Sequence, residues 1–262
     1  MPSYDSEMRF YFLVSIVLLS ISTAYPDPKP KYGPSGNPRA IPLSRDHSYF
    51  LSPEHPAPDF WALIPYYVGQ KTEASCSVAA VTALVNAARA AKDLNNRRAN
   101  EKLVTDEELL ARVQVASWEK KVGADPNTSP KGVTLDQLAK IAKAALETNG
   151  VKVRSAEILR FQGSLEGAKR ELRRILSENE RSARDFILVN FFQKSFTDDA
   201  PVGHIAPLGA YDGRNERVLI LDPDREWYEP YWVSLETLLT GMKTTDGGNS
   251  GMSRGLVWLK LN

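Results

Sequence analysis

The sequence "GQKTEASCSVAAVTALVNAARAA" (residues 69–91) places a cysteine at the start of a predicted helix. Small and apolar residues follow Cys76 and predict a helix over residues 75–91. Cys76 is the single cysteine of the 262-residue chain. Backbone N–H groups and the positive end of the helix dipole favour a thiolate at this position. Cys76 is therefore a candidate nucleophile, and the alternative is an inert, buried cysteine.

The N-terminus has the pattern of a targeting segment. Residues 10–21 form an apolar run behind Arg9, and the small residues that follow end at Ala24. This pattern predicts a signal peptide over residues 1–24. The run is shorter than the roughly 20 residues that a membrane span needs, so no membrane anchor is expected after cleavage. We therefore expect an exported protein, periplasmic or secreted.

Export makes the lone thiol unusual, because exported proteins generally pair their cysteines. An unpaired Cys76 is then an intermolecular bridge, a buried residue or a reactive group. The chain has 33 basic and 32 acidic residues, a formal net charge of +1. Such a balance lacks the strongly basic character by which proteins bind nucleic acid. We therefore predict no nucleic-acid partner.

Helix-start signals dominate the middle of the chain. Thr105 with Glu108, and Thr134 with Gln137, have the spacing of capping boxes, and Ser164 is a third predicted cap. The helix behind Ser164 is predicted to bury one apolar stripe. The stripe consists of Leu165, Ala168, Leu172, Ile175 and Leu176.

The C-terminal third is predicted to be rich in strands. Residues 185–192, 204–211, 217–222 and 255–261 are apolar runs bounded by turn residues. Helices that precede strands, without βαβ alternation, predict the α+β class with an antiparallel sheet. The proline-dense residues 25–42 predict an extended leader, so the domain itself is predicted over residues 43–262.

A predicted hairpin supplies two partners for the thiol. His204 lies on its first strand and Asp222 at the end of its second. A three-residue turn centred on Gly213 would place them directly opposite, with Cβ atoms roughly 4.5–5.5 Å apart. Asp222 would then accept from one imidazole nitrogen while the other faces Cys76. A different loop length would shift this register, and a turn-initiating aspartate before Pro223 is the alternative.

Two further features concern the same site. Gln70 precedes Cys76 by six residues, and its amide with the Cys76 N–H could form an oxyanion hole. The other histidines, His47 and His55, are expected to be ordinary surface or packing residues. One cysteine and three histidines lack zinc-site spacing, so no protein-bound metal ion is predicted.

Three segments resemble the catalytic domain of phytochelatin synthases: residues 55–67, 70–87 and 203–242. The resemblance extends from about Ile41 to the C-terminus. It implies a papain-like cysteine peptidase fold, in which a helical lobe carrying the Cys packs against an antiparallel sheet carrying the His and Asp. It implies the same roles for Cys76, His204, Asp222 and Gln70.

The resemblance adds one residue and a reaction. Arg225 matches a family arginine that could hold a substrate carboxylate bidentately; a solvent-facing turn residue is the equal alternative. The implied enzyme releases glycine from glutathione and passes γ-Glu-Cys to water or to a second glutathione. No cofactor is required, and a heavy-metal ion such as cadmium would enter as a thiolate of glutathione. A homodimer is compatible with the family.

Two other functions stay open at this point. One is an exported papain-like peptidase that acts on another peptide. The other is a metal-binding module without catalysis, which the poor ligand spacing disfavours. Plant-type phytochelatin synthases carry a cysteine-rich C-terminal extension that this sequence lacks, so we expect hydrolysis to exceed synthesis.

Overall fold

The computed structural model describes residues 32, 39–92, 102–123, 132–197, 199–247 and 249–262. The predicted signal peptide and most of the predicted leader lie outside these ranges, and both stay predictions. Ala40–Pro42, the last three residues of that leader, form the first strand. In the part of the chain described, no helix has both the length and the apolar character of a membrane span.

The described residues form helices and strands in the following order. They are β1 (Ala40–Pro42), α1 (Pro58–Leu63), α2 (Cys76–Lys92), α3 (Asp106–Arg112), α4 (Trp118–Val122), α5 (Leu135–Thr148), β2 (Val153–Leu159), α6 (Leu165–Asn179), β3 (Asp185–Phe192), α7 (Lys194–Thr197), β4 (Gly203–Asp212), β5 (Arg217–Ile220), β6 (Tyr231–Ser234), α8 (Leu235–Lys243) and β7 (Gly255–Leu261).

The strands form a seven-stranded sheet in the order β1-β6-β5-β4-β3-β7-β2. Every neighbouring pair in it is antiparallel. The predicted α+β class with an antiparallel sheet is therefore confirmed. The strands predicted over residues 185–192 and 255–261 match β3 and β7. The strands β1, β2 and β6 were not predicted.

Apolar side chains of the sheet fill two clusters, one on each face. Along β3, Phe186 and Leu188 belong to one cluster, while Ile187 and Val189 belong to the other. Strand side chains alternate between the faces with a period of two, so β3 is covered on both sides. The first cluster includes the apolar side of α2 and Cys76 itself. The sheet therefore provides a rigid platform under the thiol.

The helix-start predictions are confirmed. Thr105 and Glu108 form a reciprocal capping box, as do Thr134 and Gln137. Ser164 accepts from the backbone N–H of Gly167. The stripe predicted on α6 is buried at four of its five positions. Its remaining member, Leu165, is 38% exposed, because it is the first residue of the helix and lies at the end of the stripe.

The predicted register of the β4–β5 hairpin is wrong. Its turn spans residues 213–216, so Asp212 pairs with Arg217, and the register shifts again between Leu208 and Ala210. The carboxylate of Asp212 accepts from Asn215 N–H at 3.1 Å, from Asn215 Nδ2 at 2.7 Å and from Arg217 Nε at 2.9 Å. These bonds stabilise a four-residue turn instead of the predicted three.

Glu180 makes the stability of this fold depend on pH. Burial raises the pKa of Glu180 from 4.5 to about 7, although Tyr211 N–H and the Tyr49 hydroxyl donate to it. The group favours folding fully below its unfolded pKa, and this contribution is lost as the pH rises through about 7. The rise of the pKa from 4.5 to about 7 corresponds to about 3 kcal/mol in total. The melting midpoint should therefore fall by roughly 5 °C between pH 5 and pH 8.

Glu180→Gln should flatten this pH dependence, because a neutral amide cannot ionise. Thermal melting of both proteins at pH 5, 6, 7 and 8 measures the two slopes. Glu178→Gln, an exposed position near the same helix end, should keep the wild-type slope. Equal slopes for wild type and Glu180→Gln would contradict the assignment.

Candidate active site

The loop before α2 fixes where the thiol lies. The hydroxyl of Ser75 accepts from Lys71 N–H at 3.0 Å and from Thr72 N–H at 2.8 Å, and it donates to the Thr72 carbonyl. The first helical bonds run from Val78 and Ala79 to the Ser75 carbonyl. The helix therefore begins at Cys76, one residue after the predicted start. Its first-turn N–H groups point beyond the helix end.

Ser77, the residue after Cys76, anchors the start of α2 to α4. The Ser77 hydroxyl accepts from the indole N–H of Trp118 at 2.9 Å, and both side chains are 1% exposed. A buried indole N–H needs an acceptor. Ser77 therefore links the first turn of α2 to α4 behind it.

Cys76, His204 and Asp222 come together despite the different hairpin register. His204 Nε2 and Asp222 Oδ1 are 2.7 Å apart, and the imidazole interacts electrostatically with Cys76, which lines the same cavity. Asp222 lies two residues past the end of β5. The observed pairing of Leu208 with Ile220 does not put Asp222 directly opposite His204, so the two side chains meet diagonally, beyond the last paired residue of β5. Cys76 is 7% exposed, His204 6% and Asp222 0%.

Hydrogen bonds hold the Asp222 carboxylate in place. Oδ1 also accepts from Asp224 N–H at 2.9 Å, and Oδ2 accepts from the Tyr231 hydroxyl at 2.7 Å. The backbone carbonyl of Asp222 accepts from the Tyr67 hydroxyl. Since an ionised carboxylate only accepts hydrogen bonds, His204 Nε2 carries a proton. Its Nδ1 is the nitrogen left for the thiol.

The charges of the buried pair stabilise each other. Burial by itself lowers the pKa of His204, but the Asp222 charge and the hydrogen bonds to Asp222 and Cys76 outweigh it and raise the pKa well above its ordinary value. Burial by itself raises the pKa of Asp222, and the His204 charge with the hydrogen bonds holds it below its ordinary value. The arrangement suits nucleophilic attack followed by proton transfer.

Gln70 lies in the same loop as the helix start. Its backbone N–H donates to the Pro223 carbonyl at 2.7 Å, which ties the loop to the residue after Asp222. Its side-chain Oε1 is buried and has no hydrogen-bond partner in the part of the chain described. Gln70 therefore connects the loop before α2 to the loop after Asp222. Its predicted role as oxyanion donor stays a prediction.

Arg225 lies outside the cavity beside Cys76. Its guanidinium stacks 4.8 Å from the centre of the Tyr67 ring and donates to the Tyr67 carbonyl at 3.3 Å. These contacts help to hold the loop before α2 against the loop after Asp222. Its predicted contact with a substrate carboxylate stays a prediction. The two other histidines also lie elsewhere: His47 is exposed, and His55 stacks on Tyr49.

A cavity of about 480 Å³ opens beside Cys76 and His204. Five polar side chains on its wall were not predicted: Glu73, Asn190, Asp246, Asn249 and Arg254. Asn190 interrupts the apolar run of β3 and is 4% exposed, and that interruption was the signal available in the sequence. The Oδ1 of Asn190 has no partner among the described residues. Asp246 and Arg254 flank a glycine-containing turn, where no local pattern marks a binding residue.

Two charged side chains of this wall, Asp246 and Arg254, are close to each other. Arg254 Nη2 lies 3.3 Å from Asp246 Oδ1, and its Nη1 donates to the Thr245 carbonyl at 2.7 Å. Cavity-facing positive and negative groups suit a zwitterionic ligand. Among the residues that the structure describes, no group of three or more His, Cys, Asp or Glu side chains could hold a metal ion.

Comparison with known proteins gives consistent matches. A family model described as phytochelatin synthase matches residues 47–256. Glutathione gamma-glutamylcysteinyltransferase 3 of Lotus japonicus is 28% identical over 200 residues, covering 75% of this chain and 36% of the relative. Glutathione gamma-glutamylcysteinyltransferase 1 of Triticum aestivum is 36% identical over 76 residues, covering 29% and 15%. The chain therefore spans between 15% and 36% of the length of these relatives.

Proposed function

Because the chain belongs to the phytochelatin synthase family, we propose that it is a glutathione γ-glutamylcysteinyltransferase that acts through a thioester on Cys76. One observation carries this proposal. It is the placement of Cys76 and a hydrogen-bonded His204–Asp222 pair together beside a cavity with charged walls. A helix-borne cysteine that faces a sheet-borne histidine supports a papain-like fold for this domain.

The first half of the reaction forms the thioester. Glutathione, γ-Glu-Cys-Gly, binds with its Cys–Gly carbonyl over Cys76. The thiolate attacks that carbon, and Gln70 with the first-turn N–H groups of α2 stabilises the oxyanion. His204 gives its proton to the glycine nitrogen, the C–N bond breaks and glycine leaves. The γ-Glu-Cys group stays bound to the sulfur of Cys76.

The second half of the reaction regenerates the thiol. Neutral His204 takes a proton from water or from the α-amino group of a second glutathione, and that nucleophile attacks the thioester. The C–S bond breaks and Cys76 leaves as the thiolate. Water gives free γ-Glu-Cys, and glutathione gives the phytochelatin (γ-Glu-Cys)₂-Gly. We propose that water is the main acceptor.

The walls of the cavity support this substrate. The γ-glutamyl end of glutathione carries an α-ammonium and an α-carboxylate. Asp246 can pair with the ammonium, and Arg254 with the carboxylate. The partnerless Oδ1 of Asn190 is a further acceptor for a donor on the ligand. The chemistry requires no cofactor, and cadmium would enter only as the metal thiolate of a glutathione substrate.

The function is tested by following products. The protein from Tyr25 onward is reduced and mixed with glutathione, with and without cadmium. Glycine, γ-Glu-Cys and phytochelatin are quantified by mass spectrometry. We expect glycine release in both samples, with γ-Glu-Cys in excess of phytochelatin. A folded protein whose thiol can be titrated but which releases no glycine would contradict the proposal and favour a peptidase with another substrate.

Gln70→Ala tests the oxyanion donor. Removing one such donor typically lowers kcat by about 10²–10³-fold with little change in ground-state binding. We therefore expect kcat for glycine release to fall by that amount while KM for glutathione stays nearly constant. Steady-state kinetics measure both values. Lys71→Ala serves as the control, because its side chain is exposed and pairs with Glu107. A KM change without a kcat change would instead assign Gln70 to binding.

A further inference from the structure

Tyr231 contacts Asp222, the member of the group Cys76, His204 and Asp222 that does not contact the thiol. It is the first residue of β6, is 0% exposed, and its hydroxyl lies 2.7 Å from Asp222 Oδ2. The other carboxylate oxygen, Oδ1, lies 2.7 Å from His204 Nε2. Each oxygen of Asp222 is therefore held by one short bond to a side chain. The carboxylate plane is fixed from both ends.

The single proton of the Tyr231 hydroxyl points towards Asp222. The other polar neighbour is Gln193 Nε2, at 3.4 Å. An amide nitrogen donates and cannot accept, and a short bond to a carboxylate is the stronger of the two. The phenol ring is also confined by edge contacts with Tyr32 at 5.7 Å and Tyr228 at 6.0 Å between ring centres. These ring contacts fix the position of the hydroxyl oxygen beside Asp222.

We infer that Tyr231 is a positioning residue for the proposed reaction, which fixes Asp222 in the orientation that aligns His204 with Cys76 and moderates the negative charge facing the imidazole. The inference rests on the proposed function for its kinetic part only. A carboxylate that gives part of its charge to a phenol stabilises the imidazolium less. His204 is then a better proton donor to the leaving glycine nitrogen.

Five titratable side chains of the described residues surround Asp222, and only that of His204 is not a phenol. They are His204 on β4, Tyr231 on β6, Tyr67 before α2, Tyr228 before β6, and Tyr32. Burial is the largest cause that raises the pKa of all four tyrosines above the ordinary value, and nearby negative charge adds to it. The phenols stay neutral near pH 7, so a pH profile in that range reports His204.

Tyr231→Phe tests the inference by two measurements on the full chain. Steady-state kinetics should give a kcat for glycine release about ten-fold lower, with KM for glutathione unchanged.

The second measurement is the rate of Cys76 alkylation by iodoacetamide as a function of pH. The transition on the alkaline side of this profile, which reports loss of the His204 imidazolium proton, should move by about 0.5–1 unit to higher pH. This second measurement needs no glutathione. It therefore stays decisive if glutathione is not the substrate.

Two control variants distinguish a positioning role of Tyr231 from a general disturbance of the folded structure. Tyr228→Phe removes a neighbouring hydroxyl that donates to Asp199, and it should keep the wild-type kcat and alkylation profile. In an Asp222→Ala background, Tyr231→Phe should no longer move the alkylation profile, because the contact it removes is already lost. Thermal melting identifies folded variants, and Tyr231→Met serves if the phenylalanine variant does not fold. A wild-type profile in the Tyr231 variant, or equal displacement by Tyr228→Phe, would overturn the inference.

Discussion

Replacing Cys76 by serine is expected to lower glycine release from glutathione by roughly 10⁴-fold or more, because a neutral hydroxyl replaces the thiolate that forms the thioester. The helix start itself should persist. Ser75 forms the loop bonds that precede α2, and serine is close to cysteine in size. Glycine release by wild type and variant, measured with the same concentration of folded protein, checks the expectation.

The single cysteine permits a chemical control. Since Cys76 is the only cysteine of the chain, alkylation by iodoacetamide titrates one thiol per molecule. Glycine release should fall in proportion to the alkylated fraction. Rapid quenching of the wild type with glutathione should reveal a mass increase equal to one γ-Glu-Cys acyl group, and Cys76→Ser should show none. Persistent turnover after complete alkylation would refute a thiol nucleophile.

His204→Gln is expected to lower glycine release by about 10³–10⁴-fold. Glutamine can hydrogen-bond Asp222, but it cannot carry a proton to the glycine nitrogen. The buried charge of Asp222 also loses its imidazolium partner. Single-turnover measurement of glycine release isolates this step, because it follows formation of the thioester and not its later cleavage.

His47→Gln is the matched control for this substitution. His47 is exposed and lies outside the cavity wall, so its variant should keep the wild-type rate. Alkylation of Cys76 at pH 6 should slow in His204→Gln, because the base that takes the proton of the thiol is absent. If His204→Gln released glycine at the wild-type rate, the proton would have to come from another group, and the assigned role would be wrong.

Local signals in the sequence were sufficient to predict much of the secondary structure. The capping boxes at Thr105 and Thr134 form as predicted, since all of their bonds lie within four consecutive residues. The strands β3 and β7 begin and end as predicted, because their apolar runs are long and sharply bounded. The start of α2 was predicted within one residue.

Three strands escaped prediction for physical reasons. Strand β2 forms an edge of the sheet, and all of its residues are exposed or only partly buried. Strands β1 and β6, which pair with each other, have three and four residues. Short and edge strands depend on the partner that they meet, and so their own residues carry a weak signal.

Local sequence patterns identified the catalytic candidates, but they did not determine the geometry in which these residues meet. The sequence by itself determined that the only thiol lies at a helix start and that His204 is the histidine of a strand, because both follow from local patterns. It did not determine how His204 reaches Asp222. The four-residue turn closed by Asp212 and the register shift in β4 place Asp222 away from the position directly opposite His204, and the two side chains meet diagonally. Turn bonds and bulges of this kind set register without leaving a periodic pattern.

Only the tertiary structure brought Asn190, Asp246 and Arg254 to the cavity of Cys76, and only it placed the Tyr231 hydroxyl on Asp222. These residues come from separate strands and from the turn before β7. Their proximity results from the order in which the strands pair across the sheet, and strand order is a property of the whole chain. The sequence therefore determined the reacting groups, while the pairing of distant segments decided what surrounds and orients them.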